Sequence, residues 1–201
     1  MEQKQSICFS GQDFSGENFS GESWQGKSYR NCRFDGCDLQ ECLMENCLFE
    51  SCSFRFAQMG ALEAAGCAFL NCIFENAQLF SARFCSCKCT GSFFSGAETD
   101  TFILSGGSYA YTSFFGCSLR KSSLSGISFE GSDLRECDLT GADLRECGLQ
   151  HLLIAGAKLK GADLRGAAIE GTDLKAAVLD NTRIDVAQAI ALAASLHCRV
   201  E

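Results

Sequence analysis

Every fifth residue of this chain is large and apolar, in a column that begins Phe9, Phe14, Phe19, Trp24, Tyr29, Phe34 and runs to Ile184. Of its 36 positions, 33 hold Phe, Leu, Ile, Met, Tyr or Trp; the exceptions are Ala64, Cys89 and Thr99. A second column lies two residues before each centre, and from Cys32 to Thr182 it holds Ala, Cys, Ser, Thr or Gly at 27 of 31 places. Both columns must face inward. Helical and strand periods of about 3.6 and about 2 residues do not fit a repeat of five, whereas a closed coil with a whole number of five-residue sides does.

Glycine marks the corners of that coil. Seventeen of the 20 glycines fall two residues after a centre, among them Gly11, Gly16, Gly36, Gly131, Gly141 and Gly161. The third residue of a type II turn has positive φ, which glycine adopts at little steric cost, so each repeat is expected to make one turn. Proline is absent, which suits a backbone that is ladder-paired nearly throughout.

Blocks such as Cys32-Arg-Phe-Asp-Gly, Cys37-Asp-Leu-Gln-Glu, Ala142-Asp-Leu-Arg-Glu and Ala162-Asp-Leu-Arg-Gly resemble pentapeptide repeats, over residues 7–186. The resemblance implies an all-β fold, a right-handed quadrilateral parallel β-helix with four repeats per turn. On that reading the 36 repeats make nine coils, a rod roughly 43 Å long at ~4.8 Å per coil. It spans residues 1–184, and its filled core leaves no cleft for a substrate.

Fifteen cysteines raise the question of metal or disulfide chemistry. Eleven of them (32, 37, 42, 47, 52, 67, 72, 87, 117, 137 and 147) occupy the small inward column, where alanine and serine alternate with them. They read as free thiols filling space. No Cys-x-x-Cys pair occurs and only His151 and His197 are available, so no metal site and no cofactor is expected. In Cys85-Ser-Cys87-Lys-Cys89, Cys85 should point outward and the other two inward. Nothing in the chain has the arrangement of a nucleophile and its base, or of a phosphate-binding loop before a helix, so an enzyme is not expected.

The repeat weakens twice. From Arg55 to Gly66 the centres are Met59 and Ala64 and the small column holds Leu62, which predicts a bulge or short loop. From Glu98 to Thr112 come Thr99 at a centre, Phe102 in the small column and Gly106-Gly107, which predicts a second outgrowth. Such departures are natural places for partner contact.

After Ile184 the five-residue pattern gives way to an alanine-rich segment, residues 185–201, which predicts a helix. Asp185 is placed as its N-cap with Gln188 three residues on. Val186, Ala189, Ile190, Ala193 and Leu196 share one apolar face; with Val200 in the tail they are the expected contact surface, as a lid on the last coil, a homodimer interface or both.

The length, the Phe and Cys richness, and the ending Val178-Leu-Asp-Asn followed by an alanine/leucine helix resemble the Qnr quinolone-resistance proteins and their mycobacterial relative. That resemblance implies a homodimer joined through its C-terminal ends. It also implies a DNA-mimicking rod that binds DNA gyrase, and in some members topoisomerase IV, and protects it from poisons such as quinolones. A variant is an immunity protein against a natural-product topoisomerase inhibitor; a reading of another class is a passive protein-binding scaffold.

Charge agrees with a basic protein partner. The net charge is -8, which disfavours direct binding of nucleic acid through its phosphates. Residues 1–100 hold 13 acidic and 7 basic side chains, and residues 101–201 hold 12 and 10, so the N-terminal arm is the more DNA-like part. The candidate partner-binding residues are Glu17, Glu22, Asp35, Asp38, Glu41, Glu45, Glu50 and Glu75, with Glu63, Glu98 and Asp100 in the irregular segments; Arg135, Arg145, Arg165 and Lys175 dilute the field further on. No run of 18 apolar residues or secretory leader is present, so no membrane partner and a cytoplasmic location are expected.

Overall fold

The structure, a computed structural model, describes residues 8–199; Val200 of the expected interface lies outside them. Its repeating unit is the five-residue corner. The Glu17 amide donates to the Phe14 carbonyl at 3.1 Å across Ser15-Gly16, with Gly16 at φ 74°, which is the type II geometry the glycine spacing predicts. Where the corner is not glycine, Asn31, Glu41, Asn71 and His151 adopt the same left-handed conformation, a strained choice for any residue with a side chain.

Between corners only short stretches stay extended: β1 (Cys8–Ser10), β2 (Ser23–Gln25), β3 (Ser28–Arg30), β4 (Leu43–Glu45), β5 (Leu48–Glu50), β6 (Glu63–Ala65), β7 (Ala68–Leu70), β8 (Arg83–Cys85) and β9 (Ile103–Ser105). They form two parallel sheets, β1-β3-β5-β7 and β2-β4-β6-β8-β9. Each strand pairs with the one 20 residues on, Phe9 beside Tyr29 and Trp24 beside Met44, so four repeats complete one turn of the β-helix. The strands trace about five turns rather than the nine coils expected. Tight corners explain the difference: on the other two sides, and beyond Ser105, neighbouring coils meet through single bridges, carried in the same register as far as Asp163 and Arg183.

Inside, the predicted ladders form. Phe14, Phe34, Phe54, Phe74, Phe94 and Phe114 stack face to face with centroids 4.5–5.0 Å apart. The inward thiols are buried and also make weak hydrogen bonds to the coil before, Cys37 Sγ to the Phe14 carbonyl (2.7 Å) and Cys117 Sγ to that of Phe94 (3.1 Å). Cys85 is exposed while Cys87 and Cys89 are buried, as the alternation requires.

The two weak stretches differ from expectation. Residues 55–66 form no bulge: Met44 pairs with Ala64 in register, and Leu62 is fully buried beside it, so the volume missing from one inward column is restored by the other. Residues 98–112 form no outgrowth either. They keep the five-residue phase; Thr99 is buried, and Gly107 sits so close to the coil below that a Cβ there would lie 2.1 Å from the Cys87 carbonyl oxygen.

At the C-terminus, a single 3-10 turn (Leu174–Ala176) precedes helix α1 (Val186–Ser195). Asp185 and Gln188 form the predicted capping box. Gln188 then reaches across to the last coil, where Nε2 donates to the carbonyls of Leu164 (2.7 Å) and Ala167 (2.8 Å). The helix therefore lies on the solenoid through Gln188 and half-buried Leu192, and the apolar stripe read from the sequence faces away: Val186 is 77% exposed, Ile190 47% and Leu196 54%.

Candidate interaction surface

With a turn of 20 residues, each side of the rod is one repeat wide. Face 1 carries residues 12–16 and their equivalents one or more turns on, face 2 carries 17–21, face 3 carries 22–26 and face 4 carries 27–31. The eleven candidate carboxylates do not share one face. Asp35 and Glu75 lie on face 1 and Glu50 on face 4; Glu17, Asp38, Glu41, Glu98 and Asp100 lie on face 2, and Glu22, Glu45 and Glu63 on face 3.

That division coincides with pairing. The three on faces 1 and 4 are neutralised: Asp35 by Arg33 (3.2 Å), Glu75 by Arg55 (2.9 Å) and Glu50 by Arg30 (3.0 Å). Among the described residues, none of the eight on faces 2 and 3 makes an ion pair. Three are oriented by neutral donors, Glu22 by Trp24 Nε1 at 2.8 Å, Glu45 by Gln25 Nε2 at 3.2 Å and Asp38 by the Gln40 amide at 3.1 Å. Among the described residues up to Gly106, Lys27, Arg30, Arg33, Arg55 and Lys88 belong to faces 1 and 4, and Arg83 alone to faces 2 and 3. The N-terminal arm is thus acidic along one edge and nearly neutral along the other. The spacing that could have shown this is one full turn, as in Arg30 with Glu50 and Arg55 with Glu75.

Further along, three arginines are matched by the aspartate two residues before them on the same face. Arg135, Arg145 and Arg165 place guanidinium forks on Asp133, Asp143 and Asp163 at 2.8, 2.7 and 2.6 Å. These bonds hold all three carboxyls below their ordinary range, Asp163 at about 2. Lys175 is only 3.9 Å from Asp173. The arginines therefore cancel locally rather than projecting positive charge.

Sequence reasoning missed a group of exposed aromatics in the middle of the rod: Phe56, Phe80, Phe93, Tyr111 and Phe115, with Arg135 lying over the Phe115 ring. They occupy outward positions, where the inward columns say nothing about them. A cavity of about 540 Å³ lies between the last coil and α1, where the facing polar groups of Asp185 and Gln188 already serve the cap. Among the described residues no three His, Cys, Asp or Glu side chains are placed to hold a metal.

A filled β-helical rod whose distinguishing chemistry lies on its sides defines a repeat scaffold. The chain belongs to the pentapeptide repeat family, whose pattern matches eight copies over residues 30–60, 112–150 and 154–185. The unmatched stretch between the first two blocks holds Thr99, Phe102 and most of the exposed aromatics. In three dimensions the chain is similar to full-length QnrB1, described as a plasmid-mediated fluoroquinolone resistance protein, with a TM-score of 0.75, 21% identity, and coverage of 94% of this chain and 99% of that one. It also matches HetL, a pentapeptide repeat protein involved in heterocyst differentiation regulation from the cyanobacterium Nostoc sp. strain PCC 7120, at 15% identity and a TM-score of 0.43 over 89% and 90% of the two chains. At 21% identity the likeness to QnrB1 establishes the fold alone. No curated protein matches by sequence.

Proposed function

We propose that this protein is a DNA mimic that binds a type II topoisomerase, DNA gyrase first, and protects it from poisons of the quinolone kind. The observation that carries this reading is the segregation of charge on the N-terminal arm. Eight carboxylates without cationic partners lie on two adjacent faces, and the compensated ones lie on the other two. A narrow rod with one continuous negative edge presents a basic DNA-binding groove with the feature it recognises, and such a field steers association. The fold-level likeness to QnrB1 agrees with it.

Dimerisation through α1 belongs to the same reading. The exposed stripe Val186, Ala189, Ile190 and Leu196, with half-buried Ala193, is apolar and unused by the solenoid. A two-fold contact through it would place two acidic arms at opposite ends of one long rod, free in the cytoplasm; among the described residues no helix is long and apolar enough to cross a membrane. Ile190→Asp should halve the mass in solution and leave the β-helix folded.

Two assays test the reading on purified protein: gyrase supercoiling, and rescue of supercoiling from a quinolone. The expected result is inhibition at high protein concentration and rescue at lower concentration. If the intact protein changes neither, the gyrase reading falls. The exposed aromatics favour a second reading, a scaffold for an unrelated protein partner, which pull-down of a partner other than a topoisomerase would support.

A further inference from the structure

Before the coil of the terminal 3-10 turn, where Leu153 and Asp173 form no bridge, the ladder between the described coils is interrupted at one level of the rod, and on two sides only. On faces 2 and 3, the coil carrying residues 97–106 is bonded to the coil before it, through Leu79 N to Glu98 O (3.0 Å) and Ile103 N to Ala82 O (2.9 Å). The coil carrying 117–126 is bonded likewise to the coil after it, through Leu119 N to Asp138 O (2.8 Å) and Leu124 N to Asp143 O (2.9 Å). Between these two coils the corresponding backbone bonds are missing. No bridge joins Glu98 to Ser118 or Ile103 to Ser123, and β9 is the last strand of its sheet. On faces 1 and 4 the same two coils stay closed, through Phe94 N to Ser113 O and Tyr109 N to Ser128 O, both 2.8 Å.

The sequence supplies the cause. Thr99 stands where the column places Leu79 and Leu119. Its hydroxyl enters the ladder instead, accepting from Ser118 N (3.0 Å) and donating to Ser118 O (2.8 Å). It thereby takes the place of both backbone bonds at that rung. Phe102 adds a ring in a column otherwise filled by Ala82 and Ser122, and packs edge-on to Phe84 at 5.0 Å. Openings of about 370 and 400 Å³ follow on faces 2 and 3, the second lined by Thr101, Leu104, Lys121 and Ser123. Five ion pairs elsewhere join residues one turn apart, such as Arg30 with Glu50 and Lys160 with Asp180. Asp100 and Arg120 have that spacing but do not meet, because Arg120 turns to Asp138 at 2.9 Å.

We propose that this seam is a flexure: the rod bends about its two closed faces at the level of Thr99 and Phe102, opening and narrowing the seam on the acidic edge. A stack of coils closed on all sides resists bending, because every rung is fixed at one strand spacing. A stack closed on two adjacent sides, and hydrogen-bonded on the other two only through the Thr99 hydroxyl at one rung, has one soft direction. That direction lies on faces 2 and 3, which carry the unpaired carboxylates, so a partner gripping that edge on both sides of the seam shifts the bend. The flexure rests on the hydrogen-bond pattern and holds whichever partner the edge takes.

Native-state amide exchange tests the seam within one molecule, because the next coil provides matched controls. Thr101, Leu104 and Gly106 should exchange on the order of a hundredfold faster than Lys121, Leu124 and Gly126, which hold the same places one turn on and are bonded to Thr140, Asp143 and Arg145. Equal protection would overturn the proposal. Flexing is read separately by spin labels on exposed Cys85 and Cys198 in a Cys8→Ser background, diluted with unlabelled protein. The distance distribution should narrow in Thr99→Leu/Phe102→Ala, which restores the regular columns; equal widths in a folded double variant would also overturn it. If that variant does not fold, the exchange comparison in the parent protein decides.

Discussion

Phe74 lies flat against Phe94, ring centroids 4.5 Å apart and planes 5° from parallel, and on its other side it stacks on Phe54 at 5.0 Å. A ring held from both sides has neighbours fixed at the coil spacing, so removing it leaves a void that cannot collapse. Phe74→Ala is expected to cost about 3–5 kcal/mol, measured by denaturant unfolding; an unchanged midpoint would remove the basis for the ladder as the main source of stability.

Tyr109 gives the opposite sign. It is fully buried, and its hydroxyl is the one buried side-chain polar atom among the described residues without a hydrogen-bond partner. Its ring stands in the same column as Cys89 and Phe129, so phenylalanine suits the site. A buried unsatisfied hydroxyl costs about 1–3 kcal/mol; Tyr109→Phe should therefore raise stability by about 1 kcal/mol, visible as a higher unfolding midpoint, and a loss would mean that the hydroxyl is satisfied.

The inward columns were legible in the sequence because a period of five repeats one environment. The phenylalanine ladder, the thiols as filler and the exposure of Cys85 all follow from position alone. Volume was less legible, since it is conserved per coil rather than per column: Ala64 looks like a break until Leu62 is seen to fill the same layer. Sidedness was hidden because it depends on residues a full turn apart. The seam was hidden because a threonine hydroxyl substituting for backbone bonds leaves the five-residue phase intact. At the helix, an apolar stripe suggested the packing face, yet the groups needing partners on the last coil were polar: the Leu164 and Ala167 carbonyls, served by Gln188, and the Gly166 amide, served by Asp185.

That contact yields a prediction for the C-terminal cap. Gln188 Nε2 serves the carbonyls of Leu164 and Ala167, while its Oε1 accepts from the Asp185 amide at 3.0 Å. Gln188→Ala leaves these groups buried and unpaired, at a cost of about 1–3 kcal/mol. Faster amide exchange around residues 164–167 should accompany the lowered midpoint. Ordinary exchange there would show that the helix does not hold the last coil.

Asp163 makes stability depend on acid pH. Hydrogen bonds from Arg165 lower its carboxyl from the ordinary 3.8 to about 2, so the ionised form is favoured in the folded state. Its contribution is fully present above pH 3.8 and is lost as pH falls toward about 2, because the folded protein then has to take up the proton as well. Asp163→Asn should melt below the parent at neutral pH, and the two curves should converge near the lower limit. A gap independent of pH would mean that the residue acts through packing rather than charge.

The position of charge, rather than its amount, is the decisive test of the acidic edge. Asp38→Asn/Glu41→Gln removes two negative charges from face 2, and Glu50→Gln/Glu75→Gln removes two from faces 4 and 1, so the net charges of the two variants are equal. Glu50 and Glu75 are already paired with arginines, whereas Asp38 and Glu41 make no ion pair. The face 2 variant should need roughly tenfold more protein for the same effect on gyrase, equivalent to about 1.4 kcal/mol, and the effect should shrink at high salt. The other variant should stay within about twofold to threefold of the parent. Equal losses would mean that the partner senses only overall charge, and the segregation of carboxylates onto two faces would then have no part in binding.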